Sequence, residues 1–254
     1  MTLRQAAPQR GIRARISAGV LVFWAGLAPL ASCAETAIVA VATNFKPVAD
    51  QAAQEFNEQT GHRITIAAGA TGKLAAQIAS GAPFDLFLAA DTETPARLIQ
   101  QGLAEAGTAR TYALGALVLW ARGAEISDPE AALQSARHIA IANPDLAPYG
   151  RAAAETLAAM GQTKTAAPKL VTGENIGQAY ALVASGAADL GFVAASTGAQ
   201  GWRVPESLHA PIAQDLVILT HGAQNDAARA FKDWLFAPEG QALIAQAGYA
   251  IPAK

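Results

Sequence analysis

From residue 37 onward the chain repeats one local pattern. A short apolar run is followed by a small or polar junction and then by apolar residues at helical spacing. That alternation restricts the fold to α/β layers, because each run must pair in a sheet and each helix must cover it. Residues 37–42 read as a strand. Phe45, Val48, Ala49, Ala52 and Phe56 then repeat at helical spacing up to Gly61. A strand at 63–68, a helix at 72–80 and a strand at 86–89 follow, and Asp91 caps a helix running to about Gln101. The long run 112–123, "YALGALVLWARG", reads as a strand that crosses between lobes. Beyond it the pattern predicts helices at 129–136, 150–160 and 176–185, with strands at 138–142 and 190–193. A return strand at 216–220 and helices at 226–235 and 238–247 close the chain. Strands that pass directly into helices place several helix N-termini at the carboxyl edges of sheets, where open α/β sheets bind ligands.

One such junction, "AAGATGKLAAQI" at 67–78, invites a nucleotide-binding reading. A phosphate-binding P-loop needs Gly-x-x-x-x-Gly-Lys-Ser/Thr, so that backbone N–H groups wrap the phosphates and the last hydroxyl meets Mg²⁺. Ala67 stands where the first glycine belongs, and Leu74 where the hydroxyl belongs. What remains is Thr71-Gly72 opening a helix, with unpaired N–H groups at the positive end of its dipole. Such a terminus suits a small oxyanion.

The first 34 residues read as an export signal. Arg4, Arg10, Arg13 and Arg15 precede an apolar stretch at 16–30 that is short for a membrane span, and Ser32-Cys33-Ala34 offers a small-x-small cleavage site. Cys33, the single cysteine, is either discarded with the leader or, through "LASC", becomes a lipidated N-terminus. Either way the mature domain lies outside the cytoplasm, in the periplasm. Four of the 18 basic residues and none of the 20 acidic ones fall in the leader. The remainder carries 14 against 20, a formal charge of −6. That sign gives no general attraction for nucleic acid or anionic lipid.

Catalytic constellations are not legible. His62, His138, His209 and His221 lie far apart without i+3 or i+4 partners, and neither Gly-x-Ser-x-Gly nor Ser-x-x-Lys occurs. Carboxylates such as Asp85, Asp91, Glu174 and Asp189 are scattered among loops. Helix-start donors, by contrast, recur. They are Thr43-Asn44 in "VATNFKP", Thr71-Gly72 in "GATGKL", Tyr149-Gly150 in "APYGRAA" and Asn175-Ile176-Gly177 in "TGENIGQA". Each polar residue among them can be an ordinary N-cap or a ligand donor. Tyr149 can pack its ring on the turn or reach a bound oxygen with its phenol. Lys73 can supply a countercharge or point outward.

The mature chain resembles, along nearly its full length, the periplasmic molybdate-binding proteins of bacterial ABC importers. The stretches that carry the resemblance are "VAVATNFKPVADQAAQEF", "GATGKLAAQIASGAPFDLFLAAD", "ANPDLAPYGRAAAETL", "GENIGQAYALVASGAADLGFV" and "FKDWLFAPEGQALIAQAGYAIP". The resemblance implies a two-lobed α/β fold with two interlobe crossings. Lobe 1 would comprise 35–115 and 214–254, and lobe 2 would comprise 116–213. A single tetrahedral oxyanion, molybdate or tungstate, would lie in the cleft, with no cofactor and no catalysis. Thr43, Asn44 and Thr71 would be the first-lobe ligands, and Tyr149 with the Ile176 backbone N–H the second-lobe ones. The family often has a Tyr where Ala194 stands, and Tyr149 would supply the substitute phenol. An inner-membrane ABC permease would be the partner of a monomeric binding protein. The same fold serving sulfate or another small anion is the alternative.

Overall fold

A computed structural model describes residues 1–3, 5 and 34–252 of the 254. Most of the expected leader, including Cys33, lies outside the described residues.

The elements follow in order: β1 (Thr36–Ala42), a 3-10 turn (Thr43–Phe45), α1 (Lys46–Thr60), β2 (Arg63–Gly69), α2 (Thr71–Ala79), β3 (Leu86–Leu88), α3 (Glu93–Gln100), β4 (Arg110–Gly115), β5 (Leu117–Trp120), α4 (Pro129–Ser135), β6 (Ile139–Ala142), α5 (Pro148–Ala159), α6 (Thr163–Ala166), β7 (Leu170–Gly173), α7 (Ile176–Ala184), β8 (Leu190–Ala194), β9 (Trp202–Arg203), β10 (Ile212–Ile218), α8 (Asp226–Phe236) and α9 (Pro238–Gln246). They build two five-stranded mixed sheets, ordered β2-β1-β3-β10-β4 and β7-β6-β8-β5-β9.

The sheets repeat one plan. In the first, β1 lies parallel between β2 and β3, and antiparallel β10 joins β3 to β4. In the second, β6 lies parallel between β7 and β8, and antiparallel β5 joins β8 to β9. The parallel strands β1, β3, β6 and β8 are buried almost throughout, as strands covered on both faces must be. On one face of the first sheet Phe45, Phe56, Phe231 and Leu235 pack under α1, α8 and α9. On the other, Leu74, Ile78 and Leu98 pack under α2 and α3. A third cluster around Leu119, Ile141, Phe192 and Tyr149 fills the second half.

Three expectations shift. The run 112–123 is two strands, since β4 and β5 belong to different sheets and break at Ala116, whose carbonyl accepts the Ala195 N–H. The return strand begins at Ile212 and not at 216, because Ile212, Gln214, Leu216 and Ile218 alternate inward and include a polar residue. Residues 170–173 form β7, a short and half-exposed edge strand whose weak apolar signal gave no strand expectation. The Asp91 cap exists as a carboxylate accepting the Thr94 N–H at 3.0 Å, although the regular helix starts at Glu93.

Candidate functional site

The carboxyl ends of β1, β2, β6 and β7 converge on one cleft between the two sheets. It is narrow, with a free volume of about 10 Å³, and it is lined by Thr43, Asn44, Thr71, Tyr149, Asn175 and Ile176 among small apolar residues. The site residues expected from sequence therefore meet at one place. None of the lining side chains carries a charge.

The first-sheet side presents hydroxyls. Thr43 follows β1 directly, and its Oγ1 is buried without a protein partner. Its methyl lies against the start of α7, where a Cβ on Gly177 would come within 2.6 Å of Thr43 Cγ2. Glycine is what permits this approach. Thr71 is the first residue of α2 and is not its cap. Its Oγ1 accepts the Ala90 N–H at 3.1 Å, which leaves the hydroxyl hydrogen available to the cleft.

Asn44 also lines the cleft, but its side chain faces inward. One amide N–H donates to Gln214 Oε1 at 2.8 Å, and the other donates to the Tyr249 hydroxyl at 3.0 Å. Both side-chain donors are engaged. What Asn44 can offer outward is a backbone N–H in the opening turn before α1, where intrahelical partners are lacking.

The second-sheet side presents a phenol and backbone amides. Tyr149 lies in the first turn of α5, 1% exposed, and its oxygen accepts from Gln214 Nε2 at 3.2 Å. Burial, reinforced by neighbouring Tyr249, holds its phenol well above the usual tyrosine range, so it remains a neutral donor. Ile176 opens α7. Asn175 is a true N-cap there, its Oδ1 accepting the Gln178 N–H, and the Ile176 amide is left to the cleft.

Charges stand outside this ring and pair with one another. Lys73 reaches Glu174 at 2.8 Å, joining α2 to the loop before α7, and is not among the residues that line the cleft. Arg151 binds Asp91 and Glu93 at 2.8 Å each. The Gly72 N–H donates to the Leu146 carbonyl at 2.9 Å, and Ser196 donates to the Asn44 carbonyl at 3.2 Å. Ala194, where a phenol was expected to be missing, is a fully buried strand end. Sequence reasoning missed Tyr112, Gln214 and Tyr249, the layer behind the cleft. One signal was readable: Gln214 is a polar residue at an inward position of an alternating strand.

Among the described residues no group of three or more His, Cys, Asp or Glu could hold a metal ion. His221 pairs with Asp85 at 2.9 Å, away from the cleft.

Two α/β lobes meeting over a cleft of neutral hydrogen-bond donors define a solute-binding protein. Residues 37–250 match the bacterial extracellular solute-binding protein family. The molybdate-binding protein ModA of Azotobacter vinelandii is 44% identical over 91% of this chain and 96% of its own. That of Rhodobacter capsulatus is 44% identical over 92% and 96%. The solved periplasmic molybdate-binding protein of Azotobacter vinelandii superposes with a TM-score of 0.81 at 40% identity, covering 85% of this chain and all of its own. The chain belongs to the periplasmic molybdate-binding proteins of that family, and it is a binding component rather than an enzyme.

Proposed function

We propose that this protein captures molybdate, and tungstate with it, between lobes 35–115 with 214–254 and 116–213, and delivers it as a monomer to an inner-membrane ABC permease. The observation that carries the reading is a ring of uncommitted neutral donors around one small cleft. Thr43 and Thr71 contribute hydroxyls, Tyr149 a phenol, and Asn44 and Ile176 backbone N–H groups. The names of the relatives supply the anion.

A doubly charged tetrahedral ion accepts several charge-assisted bonds from such a ring. The starts of α2 and α7 add dipole stabilisation without a cation that would attract anions in general. No cofactor is needed. The backbone N–H groups only donate, and the Thr71 and Tyr149 oxygens already accept from protein N–H groups. Hydrogen phosphate therefore pairs its O–H only by turning a hydroxyl from donor to acceptor, at the loss of a charge-assisted bond worth about 1.5–3 kcal/mol. Sulfate lacks that proton and must be discriminated by size. Export places the protein in the periplasm, with Cys33 either removed or lipidated, as the intact mass of native protein would decide.

Thermal unfolding with a panel of anions tests the reading. Ligand at a hundredfold excess over Kd contributes about 2.7 kcal/mol, and each kcal/mol is worth about 2–4 °C in a chain of this size. Molybdate and tungstate should raise Tm by roughly 5–11 °C. Sulfate should do clearly less and phosphate almost nothing. A best response to sulfate would reassign the ligand, and a best response to phosphate would refute the neutral-donor argument.

A further inference from the structure

We infer that Gln214 is a positioning residue that sets the hydrogen-bond polarity of the cleft by holding Tyr149 as a pure donor. The inference rests on the oxyanion reading above and deepens it.

The polarity follows from one group that can only accept. The Asn44 backbone carbonyl receives the Tyr249 O–H at 2.9 Å, and the same hydroxyl has Ser196 Oγ at 3.0 Å as its other acceptor. Both routes lead the Tyr249 hydrogen away from the Asn44 side chain. The Asn44 atom that meets Tyr249 at 3.0 Å must therefore be Nδ2, the donor. That same Nδ2 faces Gln214 at 2.8 Å, so the Gln214 atom there must be the acceptor Oε1. Tyr112 is compatible, since its hydroxyl has Ala89 O at 2.9 Å and Gln214 Oε1 at 3.2 Å as acceptors. The remaining amide group of Gln214, Nε2, is aimed at the Tyr149 oxygen at 3.2 Å. Tyr149 thus accepts from Gln214 behind the cleft and keeps its own hydrogen to give, to the neighbouring Tyr249 oxygen without ligand and to an oxyanion when one is bound. Gln214 itself is fully buried, so no water competes for either end of its amide.

A second feature keeps this contact tight. Gly115, at the end of β4, lies so close that a Cβ there would overlap the Tyr149 hydroxyl and come within 2.7 Å of Gln214 Nε2. The strand end is bare where the amide and phenol meet.

The consequence is selectivity. A phenol free to rotate can donate to an unprotonated oxyanion or accept from a protonated one. A phenol held by Gln214 serves only the first. Gln214 therefore favours molybdate over hydrogen phosphate without touching either.

The test is a double-mutant cycle read by calorimetric titration of the mature protein with molybdate and phosphate. Gln214→Met, which keeps length and removes the Nε2 donor together with the Oε1 acceptor of Asn44 and Tyr112, should lower molybdate affinity by roughly tenfold. In a Tyr149→Phe background the same change should cost less than about twofold, because the group it positions is gone. The molybdate-to-phosphate affinity ratio should also fall in Gln214→Met. Equal losses in both backgrounds, or an unchanged ratio, overturn the inference while leaving the oxyanion site intact. If the unmodified protein binds no molybdate, the functional reading fails and this inference with it. Should Gln214→Met lose its cooperative melt without ligand, Gln214→Asn, which cannot reach Tyr149 and Asn44 together, carries the same cycle.

Discussion

The two walls of the cleft solve one problem with different materials. The wall built on the first sheet offers two threonine hydroxyls and one opening-turn amide, backed by a buried layer of Tyr112, Gln214 and Tyr249. The wall built on the second sheet offers a phenol and the amide at the start of α7, with little behind them except the N-cap Asn175 and the Gln214 contact. Backbone donors survive substitution and side-chain donors do not. The first wall should therefore carry most of the mutational sensitivity, and the second most of the tolerance.

The largest expected effect breaks the first wall. Thr43→Val with Thr71→Val removes both hydroxyls and keeps the shape of each side chain. At about 1.5–3 kcal/mol per hydrogen bond to a charged group, molybdate affinity should fall by roughly two to four orders of magnitude. Calorimetric titration measures this, and a loss below tenfold would shift the binding energy to the amides.

The second effect probes the layer behind that wall. Burial pushes the Tyr249 phenol up to about 12, above its ordinary value near 10. A raised pKa means that the fold favours the protonated form. Its contribution is complete below pH 10 and is lost as pH rises towards 12. Urea unfolding without ligand should therefore show about 2–3 kcal/mol less stability near pH 12 than at pH 9. Tyr112 and Tyr149, raised in the same direction by burial, act with the same sign. A flat profile across this range would mean that the phenols are hydrated.

On the second wall, Tyr149→Phe should weaken molybdate binding by about 1–3 kcal/mol with little change in ligand-free Tm. Unchanged affinity would return Tyr149 to a packing role. The smallest effect belongs to the bridge between the walls. Lys73 and Glu174 are half-exposed, and such pairs are worth about 0–1 kcal/mol. Lys73→Ala should change affinity by less than Tyr149→Phe, and the difference should vanish in high salt. A larger loss would make Lys73 a ligand countercharge after all.

Much of the architecture was readable because it is written in local periodicity. The apolar runs at β1, β3, β6 and β8 are dense enough to announce strands, and Gly61 and Pro238 mark helix boundaries directly. β7 was not readable, since an edge strand of four residues with two half-buried positions has too little pattern to separate it from a loop. The break at Ala116 was equally hidden, because two buried strands in different sheets look from sequence like one long strand.

By itself, the sequence determined the α/β alternation and the positions of Thr43, Thr71, Tyr149 and Ile176 at helix starts. Periodicity and capping chemistry act over a few residues. Only the tertiary structure decided what each of those groups has left to give. Asn44 and Thr71 look alike as polar residues before helices. Yet Asn44 meets Gln214 and Tyr249 from 170 and 205 residues away and has both amide hydrogens engaged. Thr71 meets only an N–H, from Ala90, and keeps its hydrogen free. Whether a donor is available depends on partners that folding brings from distant parts of the chain, and no local pattern records them.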